Sequence, residues 1–352
     1  MLNNSRPSVA IAISGGIDSA VAAIILKNSG YDVYGVHFII PSDENIIASR
    51  LKLAGLVCDF LNIPFKTIDI REKFKNHIIE PFVYAYLSGK TPNPCVLCNP
   101  EVKFAALLSY AEEAGINLIS TGHYARTQKN GNNTVLLRGL DHKKDQSYFM
   151  HRLGQDILSR SLFPLGEMIK DNVKEMALAA GIPVAHSSES QEICFISPDH
   201  DYRTLIEPYA KKNGFTKGEF ISPDGKIFGS HDGAWRYTIG QRKGLGISSP
   251  KPFYVREINM ATGSVIIDRK ENLYSNQVKA ADVIWQKEIP IPSGLKVYGQ
   301  IRNKHKAAIG TILNSDYNSA AFMFDEPQWA ITPGQAIVFY GGNQVIGGGW
   351  IE

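Results

Sequence analysis

The sequence has few cysteines, no long apolar run and little net charge, and each absence excludes a class of protein. Four cysteines in 352 residues are too few for a disulfide-stabilised scaffold. No run of about 18 uncharged apolar residues occurs, and the N-terminus lacks the charged start and apolar stretch of a signal peptide. We therefore expect a cytosolic protein with no membrane segment, whose cysteines are reduced at rest.

The formal net charge of +3 is too small to indicate a nucleic-acid-binding protein by itself. Phosphate-binding surfaces depend on clustered charge, and basic residues do cluster in this sequence. Each cluster is either an RNA-phosphate contact or ordinary solvated surface. The clusters are His142, Lys143, Lys144, His151 and Arg152; Lys211, Lys212 and Lys217; Arg236, Arg242 and Lys243; and Arg302, Lys304, His305 and Lys306.

The hydrophobic fraction of 44% and the charged fraction of 20% are typical of a folded chain, here long enough for two or three domains. Up to about residue 200, short apolar runs alternate with amphipathic stretches, which predicts an α/β domain with a parallel sheet. The predicted strands are Val9 to Ile13, Val33 to Phe38, Phe65 to Ile70 and Leu118 to Thr121, and the predicted helices are Ser19 to Asn28, Ile46 to Leu61, Lys73 to Leu87 and Val102 to Ala114.

After about residue 203, turn pairs become frequent and long helical periods disappear, so this half is predicted to be mostly β. Short alternating segments near the end have the spacing of a small barrel, and they are Leu295 to Ile301, Ala308 to Leu313, Ala320 to Phe324 and Ala336 to Tyr340. We predict an N-terminal α/β domain at 1–203, a small and mostly β linking domain at 204–275, and a C-terminal β-barrel at 276–352.

The first predicted strand runs into a glycine-rich turn, Ser14 to Ser19, and a helix begins at once. Glycines let backbone N–H groups approach a pyrophosphate, two serine hydroxyls add donors, and the helix N-terminus contributes partial positive charge. Asp18 is placed to help hold Mg²⁺ on the phosphates. The turn lacks the lysine of the G-x-x-x-x-G-K-[ST] loop, and the alternative interpretation is a plain glycine turn. The pattern SGGxDS resembles the PP-loop of the ATP pyrophosphatase superfamily, which implies that ATP adenylates a substrate oxygen.

Cys95 and Cys98 lie in a segment stiffened by prolines that leads into the helix predicted near Val102. A thiol close to a helix N-terminus is favoured as thiolate, and Lys103 adds positive charge nearby. Three interpretations compete: a zinc site, which lacks a second ligand pair in this sequence; a thioredoxin-like redox pair; and a nucleophile at Cys98 that works with a sulfur carrier at Cys194. Cys58 lies in an apolar helix and is expected to be a core residue.

Six further motifs resemble those of the tRNA-specific 2-thiouridylase family (MnmA type) and span nearly the whole chain. They are the segment from Thr91 to Asn99, Thr121 to Arg126, Lys144 to Phe149, Ser190 to Ile196, Tyr237 to Gly246 and Thr332 to Ala336. The alternatives are another PP-loop enzyme that modifies tRNA or forms amides, and a tRNA-binding or redox module with a vestigial loop.

The resemblance implies ATP-dependent 2-thiolation of wobble uridine 34 in tRNAs for Lys, Glu and Gln. Cys194 would carry sulfur as a persulfide received from a relay protein, Cys98 would be the nucleophile that releases it, and an external reductant would reopen the resulting disulfide. The implied contacts to ATP, with Mg²⁺, are Ala12, Ile13, Ser14, Gly15, Gly16, Ile17, Asp18, Ser19, Phe38 and Gly122. The implied tRNA contacts are Asn93, Pro94, Cys95, His123, Lys144, Asp145, Gln146, Arg302, Asn303 and Gln335.

The chain departs from the family pattern at position 95. Members of the family often have aspartate at this position, where it is regarded as a candidate acid/base group. Here the position is Cys95, to which we assign no catalytic role.

Overall fold

A five-stranded parallel sheet organises the N-terminal part of the chain. The computed structural model describes residues 6–185, 193–196, 201–215, 217–286 and 291–352. The sheet order is β3-β2-β1-β4-β7, and a hairpin of β5 and β6 is inserted before the last strand. The strands are β1 (Ser8–Ala12), β2 (Asp32–Ile39), β3 (Phe65–Asp69), β4 (Leu118–Ser120), β5 (Ala125–Asn130), β6 (Asn133–Arg138) and β7 (Ser161–Leu162).

The central strand β1 is an uninterrupted apolar run because it is covered on both faces. Val9, Ala10 and Ile11 are fully buried, as expected for a parallel strand with helices above and below it. The helices of this part are α1 (Ile17–Asn28), α2 (Glu44–Leu61) and α3 (Arg71–Phe74). All four predicted strands are confirmed to within about two residues. The strand β7 was not predicted, since its two residues are too short to show a period.

The helix that was predicted to begin near Val102 begins eight residues earlier, at Pro94. Its parts are α5 (Pro94–Cys98), a π-helical turn at Asn99–Phe104 and α6 (Ala105–Glu113). Proline suits the first position of a helix because its missing N–H would have no acceptor there. Another π-helical turn, Lys75–Ile79, follows α3. Two further helices of this part are α7 (Gln155–Leu158) and α8 (Lys170–Ala179), and a 3₁₀ turn lies at Ser147–Met150.

The described residues form two compact units, of which the second holds a small sheet and the barrel. The small sheet has the order β10-β11-β8-β9, with β8 (Gly218–Ile221), β9 (Ile227–His231), β10 (Tyr254–Asn259) and β11 (Ser264–Asp268). Two helices of this unit, α4 (Glu80–Leu87) and α9 (Tyr202–Lys212), are joined by stacking of Tyr86 on Tyr202 at 4.6 Å. The helix α9 lies where the sequence predicted no further long helix.

The C-terminal barrel is closed by six antiparallel strands. Its order is β12-β15-β14-β13-β16-β17, and β17 pairs back onto β12. The strands are β12 (Tyr274–Trp285), β13 (Leu295–Gln300), β14 (Ala308–Ser315), β15 (Ser319–Trp329), β16 (Ala336–Gly341) and β17 (Gln344–Ile351). Ile312, Phe322, Phe324 and Phe339 fill its interior. The predicted fold class is thus confirmed. Within the described ranges, no helix is both long and apolar enough to span a membrane.

Candidate active site

The glycine-rich turn joins β1 to α1 and is shaped to receive an anion. Gly15 has a φ of +83°, and a Cβ there would lie 3.1 Å from the backbone oxygen of Arg50. The Ser19 hydroxyl donates to the Gly16 carbonyl at 3.0 Å, which ties the turn to the first turn of α1. The residue before α1 is Gly16, which has no side chain to cap the helix N-terminus. The first N–H groups of α1 therefore point at the turn without an intrahelical acceptor, which is the arrangement that binds phosphate.

The other predicted nucleotide contacts lie at the same edge of the sheet. Gly122 follows β4, and a Cβ at this residue would lie only 2.8 Å from the Ser19 nitrogen. Phe38 is half-buried near the end of β2. Ala12 ends β1, and Ile13 follows it and accepts a 2.8 Å hydrogen bond from Nδ1 of His37. Carboxyl ends of neighbouring parallel strands form the usual ligand-binding edge of such a sheet.

The glycine-rich turn contains no lysine, but a lysine from a distant part of the sequence contacts it. Lys170, the first residue of α8, is 5% exposed and places its Nζ 2.7 and 2.8 Å from the two carboxylate oxygens of Asp18. The Tyr124 hydroxyl donates to the same carboxylate at 2.8 Å. Asp18 therefore already has a cationic partner, and its role in holding Mg²⁺ stays a prediction. Lys170 was not predictable from the sequence, since 152 residues separate it from Asp18.

The structure corrects the expected state of Cys98. This residue lies inside the helix that begins at Pro94 rather than before it, and it is 3% exposed. Burial raises the pKa of the Cys98 thiol to about 12, although the Lys103 ammonium opposes that shift. Burial also raises the pKa of Cys95. The expectation of a resting thiolate at Cys98 was wrong, because desolvation outweighs the helix N-terminus and the nearby lysine.

Cys194 is positioned by α2, the helix that also packs against the glycine-rich turn. Nη1 of Arg50 donates to the Cys194 carbonyl at 3.3 Å, and the neighbouring Phe195 ring packs edge-on against Phe74 at 5.6 Å. The backbone oxygen of Arg50 lies beside Gly15, so one residue contacts both the turn and the predicted sulfur carrier. Ser190, Gln191 and Glu192 of the same motif lie outside the described residues. Arg50 was missed because it carries no motif signal.

The thiols of Cys95, Cys98 and Cys194 interact electrostatically with one another and with Lys103. The structure thus brings the two predicted catalytic cysteines into one neighbourhood of the first unit. Cys58 is fully buried in the core of that unit, as predicted, and burial raises its pKa to about 12. Across the described part of the chain, no three His, Cys, Asp or Glu side chains are arranged as ligands of one metal ion.

Several predicted tRNA contacts in the first unit make internal hydrogen bonds. His123 shares a 2.8 Å hydrogen bond with Thr121 and stacks on Phe104, and burial lowers its pKa to about 3. Asp145 accepts from Arg138 at 2.9 Å and from Ser147, and its side chain is 5% exposed. Gln146 accepts from the Tyr124 N–H at 2.9 Å. These bonds give the residues structural roles, and their tRNA contacts, with that of Lys144, stay predictions.

The remaining predicted tRNA contacts lie at or beside the barrel of the second unit. Nε2 of Gln335 donates to the Thr91 carbonyl at 2.9 Å and so holds the loop of Asn93, which leads into α5 at Pro94. Nη1 of Arg302 donates to the Trp329 carbonyl at 3.1 Å, and the Asn303 carbonyl accepts from Gln300. The sequence motifs predicted RNA contact here, and the structure adds that Gln335 stabilises the loop before Cys95.

Three family models match the chain in order. A tRNA methyl transferase HUP domain matches residues 7–198, a tRNA methyl transferase PRC-barrel domain matches 205–269, and an aminomethyltransferase β-barrel domain matches 275–351. The first model alone matches more than half of the chain.

Relatives of similar length carry one name. The chain is 41% identical over 343 residues to the tRNA-specific 2-thiouridylase MnmA of Acidithiobacillus ferrooxidans, covering 97% of each chain. It is 41% identical over 363 residues to the protein of that name from Geotalea uraniireducens, covering 99% of this chain and 96% of the other. A solved 4-thiouridine synthetase–RNA complex with bound ATP is 16% identical, with a TM-score of 0.35 over 59% of this chain and 53% of the other, a likeness too low to bear on function. Full-length identity of this level establishes that the chain belongs to the tRNA-specific 2-thiouridylase family.

Proposed function

We propose that this chain uses ATP to replace the C2 oxygen of wobble uridine 34 with sulfur in tRNAs for Lys, Glu and Gln. The observation that carries the proposal is the position of Arg50, whose backbone oxygen lies beside Gly15 and whose guanidinium holds the Cys194 carbonyl. A nucleotide-activating loop and a sulfur-carrying cysteine must lie close together if the same substrate carbon is to be adenylated and then thiolated. Membership of the thiouridylase family supports the same reaction.

The reaction proceeds in three balanced steps. The C2 oxygen of the uridine, flipped out of its stack, attacks the α-phosphate of ATP and releases pyrophosphate. The terminal sulfur of a Cys194 persulfide attacks C2, and AMP leaves with the oxygen. The Cys98 thiol then gives up its proton to solvent and its sulfur attacks the Cys194 sulfur; the S–S bond breaks, and its electron pair stays on the sulfur at C2 as the thiocarbonyl. Cys98 and Cys194 are left as a disulfide, which an external dithiol reduces.

The residues of the glycine-rich turn have the chemistry that ATP requires. The first N–H groups of α1 and the hydroxyl of Ser14 would donate to the phosphates, and Gly15 and Gly122 let α2 and β4 pack closely against the turn. Lys170 supplies positive charge beside Asp18. Mg²⁺ would accompany ATP and neutralise its phosphates when bound.

The partners that this reaction requires are a tRNA, a relay protein that delivers persulfide sulfur to Cys194, and a reductant, all of them in the cytoplasm. We retain 1–203 as the thiolase domain, 204–275 as the linking domain and 276–352 as the tRNA-binding barrel. Within this scheme the RNA is held by Asn93, Pro94, Cys95, His123, Lys144, Asp145, Gln146, Arg302, Asn303 and Gln335.

The proposal is tested by replacing each cysteine and measuring 2-thiouridine in tRNA by mass spectrometry. Incubation with ATP, Mg²⁺, tRNA and a persulfide donor should give no 2-thiouridine with Cys194→Ser or Cys98→Ser. Cys58→Ala serves as the matched control and should retain product formation, because that thiol lies in the core. Release of pyrophosphate is measured in parallel to show that the glycine-rich turn is active.

Full product formation by Cys194→Ser would overturn the proposal. An amide-forming or other adenylating enzyme needs neither cysteine, so it would release pyrophosphate in all variants and yield a product without sulfur. A module with a vestigial loop would release no pyrophosphate with any RNA.

A further inference from the structure

Lys103 is a half-buried cation whose position in the helix is set by an unusual turn. Cys98 ends α5, and the π-helical turn Asn99–Phe104 follows it directly. Hydrogen bonds in a π-helix join residues five apart, so residues five apart lie about one turn above each other. Lys103 is five residues after Cys98 and therefore lies on its face of the helix. In an ordinary α-helix the residues that share a face are three or four apart, and Lys103 would be turned away.

Cys95 shares this face, because it lies three residues before Cys98 in the α-helical part of the same segment. Cys194 approaches from a different part of the chain, where Arg50 of α2 holds its carbonyl at 3.3 Å. All three sulfurs interact with the Lys103 ammonium. Among the described residues, the charged and titratable groups that face the Lys103 side chain are Cys95, Cys98, Cys194, Arg50 and His123.

Lys103 has no carboxylate partner among the residues that the structure describes. The nearest acid along the helix, Glu101, instead pairs with His77 at 3.5 Å. A cation taken out of water is costly unless anions or strong acceptors face it. Burial alone would lower the pKa of Lys103, but its electrostatic attraction to the sulfurs of Cys98, Cys194 and Cys95 outweighs burial and raises that pKa.

We infer that Lys103 is a shared counter-ion that stabilises the anionic form of all three sulfurs, and that it acts as a positioning residue for sulfur transfer. The role of this charge in sulfur transfer rests on the proposed function. During the reaction, negative charge is carried first by the persulfide on Cys194 and then by Cys98. A single ammonium that faces both sulfurs stabilises each anion in turn without moving between two sites.

The test measures the thiols directly and needs neither ATP nor tRNA. Rates of alkylation by iodoacetamide at Cys95, Cys98 and Cys194 are followed by peptide mass spectrometry between pH 7 and about 10. In Lys103→Met, all three rates should fall about tenfold at a given pH, because the anionic form of each sulfur loses its counter-ion. Lys103→Arg keeps the charge and should stay within about threefold of the parent protein.

Two controls separate this role from a merely structural one. Cys58 is fully buried in the core of the first unit and should react equally slowly in all variants. Lys52→Met, at an exposed position of α2, should leave all rates unchanged. Loosened packing in Lys103→Met would expose the thiols and raise their rates, which is opposite to the expected change.

Unchanged or faster alkylation of the three thiols in Lys103→Met would overturn the inference, and so would a fall confined to Cys95 and Cys98. Because alkylation does not depend on turnover, these outcomes are distinct from a failure of the thiolation assay. If Lys103→Met shows the expected fall in alkylation rates but the parent protein forms no 2-thiouridine, the proposed function is refuted and the counter-ion role is still supported.

Discussion

Asp18 accepts three hydrogen bonds, two from Lys170 and one from Tyr124. The sequence places this carboxylate beside a phosphate site, where a metal ion is the obvious partner, and gives no sign of a lysine that approaches from α8. Lys170 is almost fully buried, so the pair has little competition from water. The same ammonium adds positive charge at the N-terminus of α1, where the phosphates of ATP are expected.

The Asp18–Lys170 pair gives a prediction about stability. Lys170→Met should lower the free energy of unfolding by about 1–3 kcal/mol, because it leaves a carboxylate of which one third is exposed without its cation. The double variant Lys170→Met/Asp18→Asn should recover part of that loss, because the unpaired charge is removed. Urea unfolding of the two single variants and the double variant measures the coupling. Strict additivity of the two substitutions would contradict the pairing.

Between elements, the decisive contact is the close approach of the end of β4 to the first turn of α1. Gly122 makes it possible, because any side chain there would meet the backbone of Asp18 and Ser19. The contact fixes the direction of the first N–H groups of α1 relative to the sheet edge. The site therefore depends on backbone packing as well as on the side chains of the turn.

Gly122→Ala is expected to separate β4 from α1 and to reduce pyrophosphate release at least tenfold, with a loss of about 1–3 kcal/mol in stability from overpacking. Gly55→Ala is the matched control in α2, since its new Cβ would meet Phe65 only at 3.8 Å. That control should be neutral or stabilising by up to about 1 kcal/mol, because alanine favours the helix. Pyrophosphate release and urea unfolding are measured for both. Normal release by Gly122→Ala would show that this contact does not shape the site.

The order of elements was predictable where the sequence pattern is regular and long. Apolar runs at β1 and β2 and the turn at Gly15 and Gly16 predicted the sheet and its ligand-binding edge. The start of the helix at Pro94 was not predictable from a motif that contains two prolines, because proline suits both a loop and a first helical turn. Arg50 and Lys170 escaped prediction since each reaches the site only through tertiary packing.

At the scale of the whole molecule, burial has set the protonation of many histidines. Burial lowers the pKa of histidines in both compact units, and it lowers the pKa of the fully buried His151 to about 3. Each such imidazole is neutral in the folded chain. In the unfolded chain it has the ordinary pKa of about 6.5 and is protonated below that pH. The histidines concerned are His37, His123, His151, His231 and His305.

Stability should therefore fall as the pH decreases below about 6.5. The pKa values of these histidines are lower in the folded state than in the unfolded state. Their contribution to stability is therefore complete above pH 6.5 and is lost progressively as the pH falls toward the folded-state pKa values. His151 alone is expected to cost up to about 1.4 kcal/mol for each pH unit in this window. Urea unfolding at pH 7.5, 6.5 and 5.5 measures the slope, and His151→Asn should make it shallower. A constant midpoint across these pH values would contradict the prediction.

The pairing of β17 with β12 closes the barrel, so closure depends on the eight residues of β17. Deleting Gln344–Ile351 would strip the hydrogen-bonding partner from β12 on one side and from β16 on the other. Two open strand edges on an apolar interior are templates for edge-to-edge association with other molecules. A short deletion there should therefore cause concentration-dependent aggregation, detectable by light scattering, before any assay of catalysis registers the change.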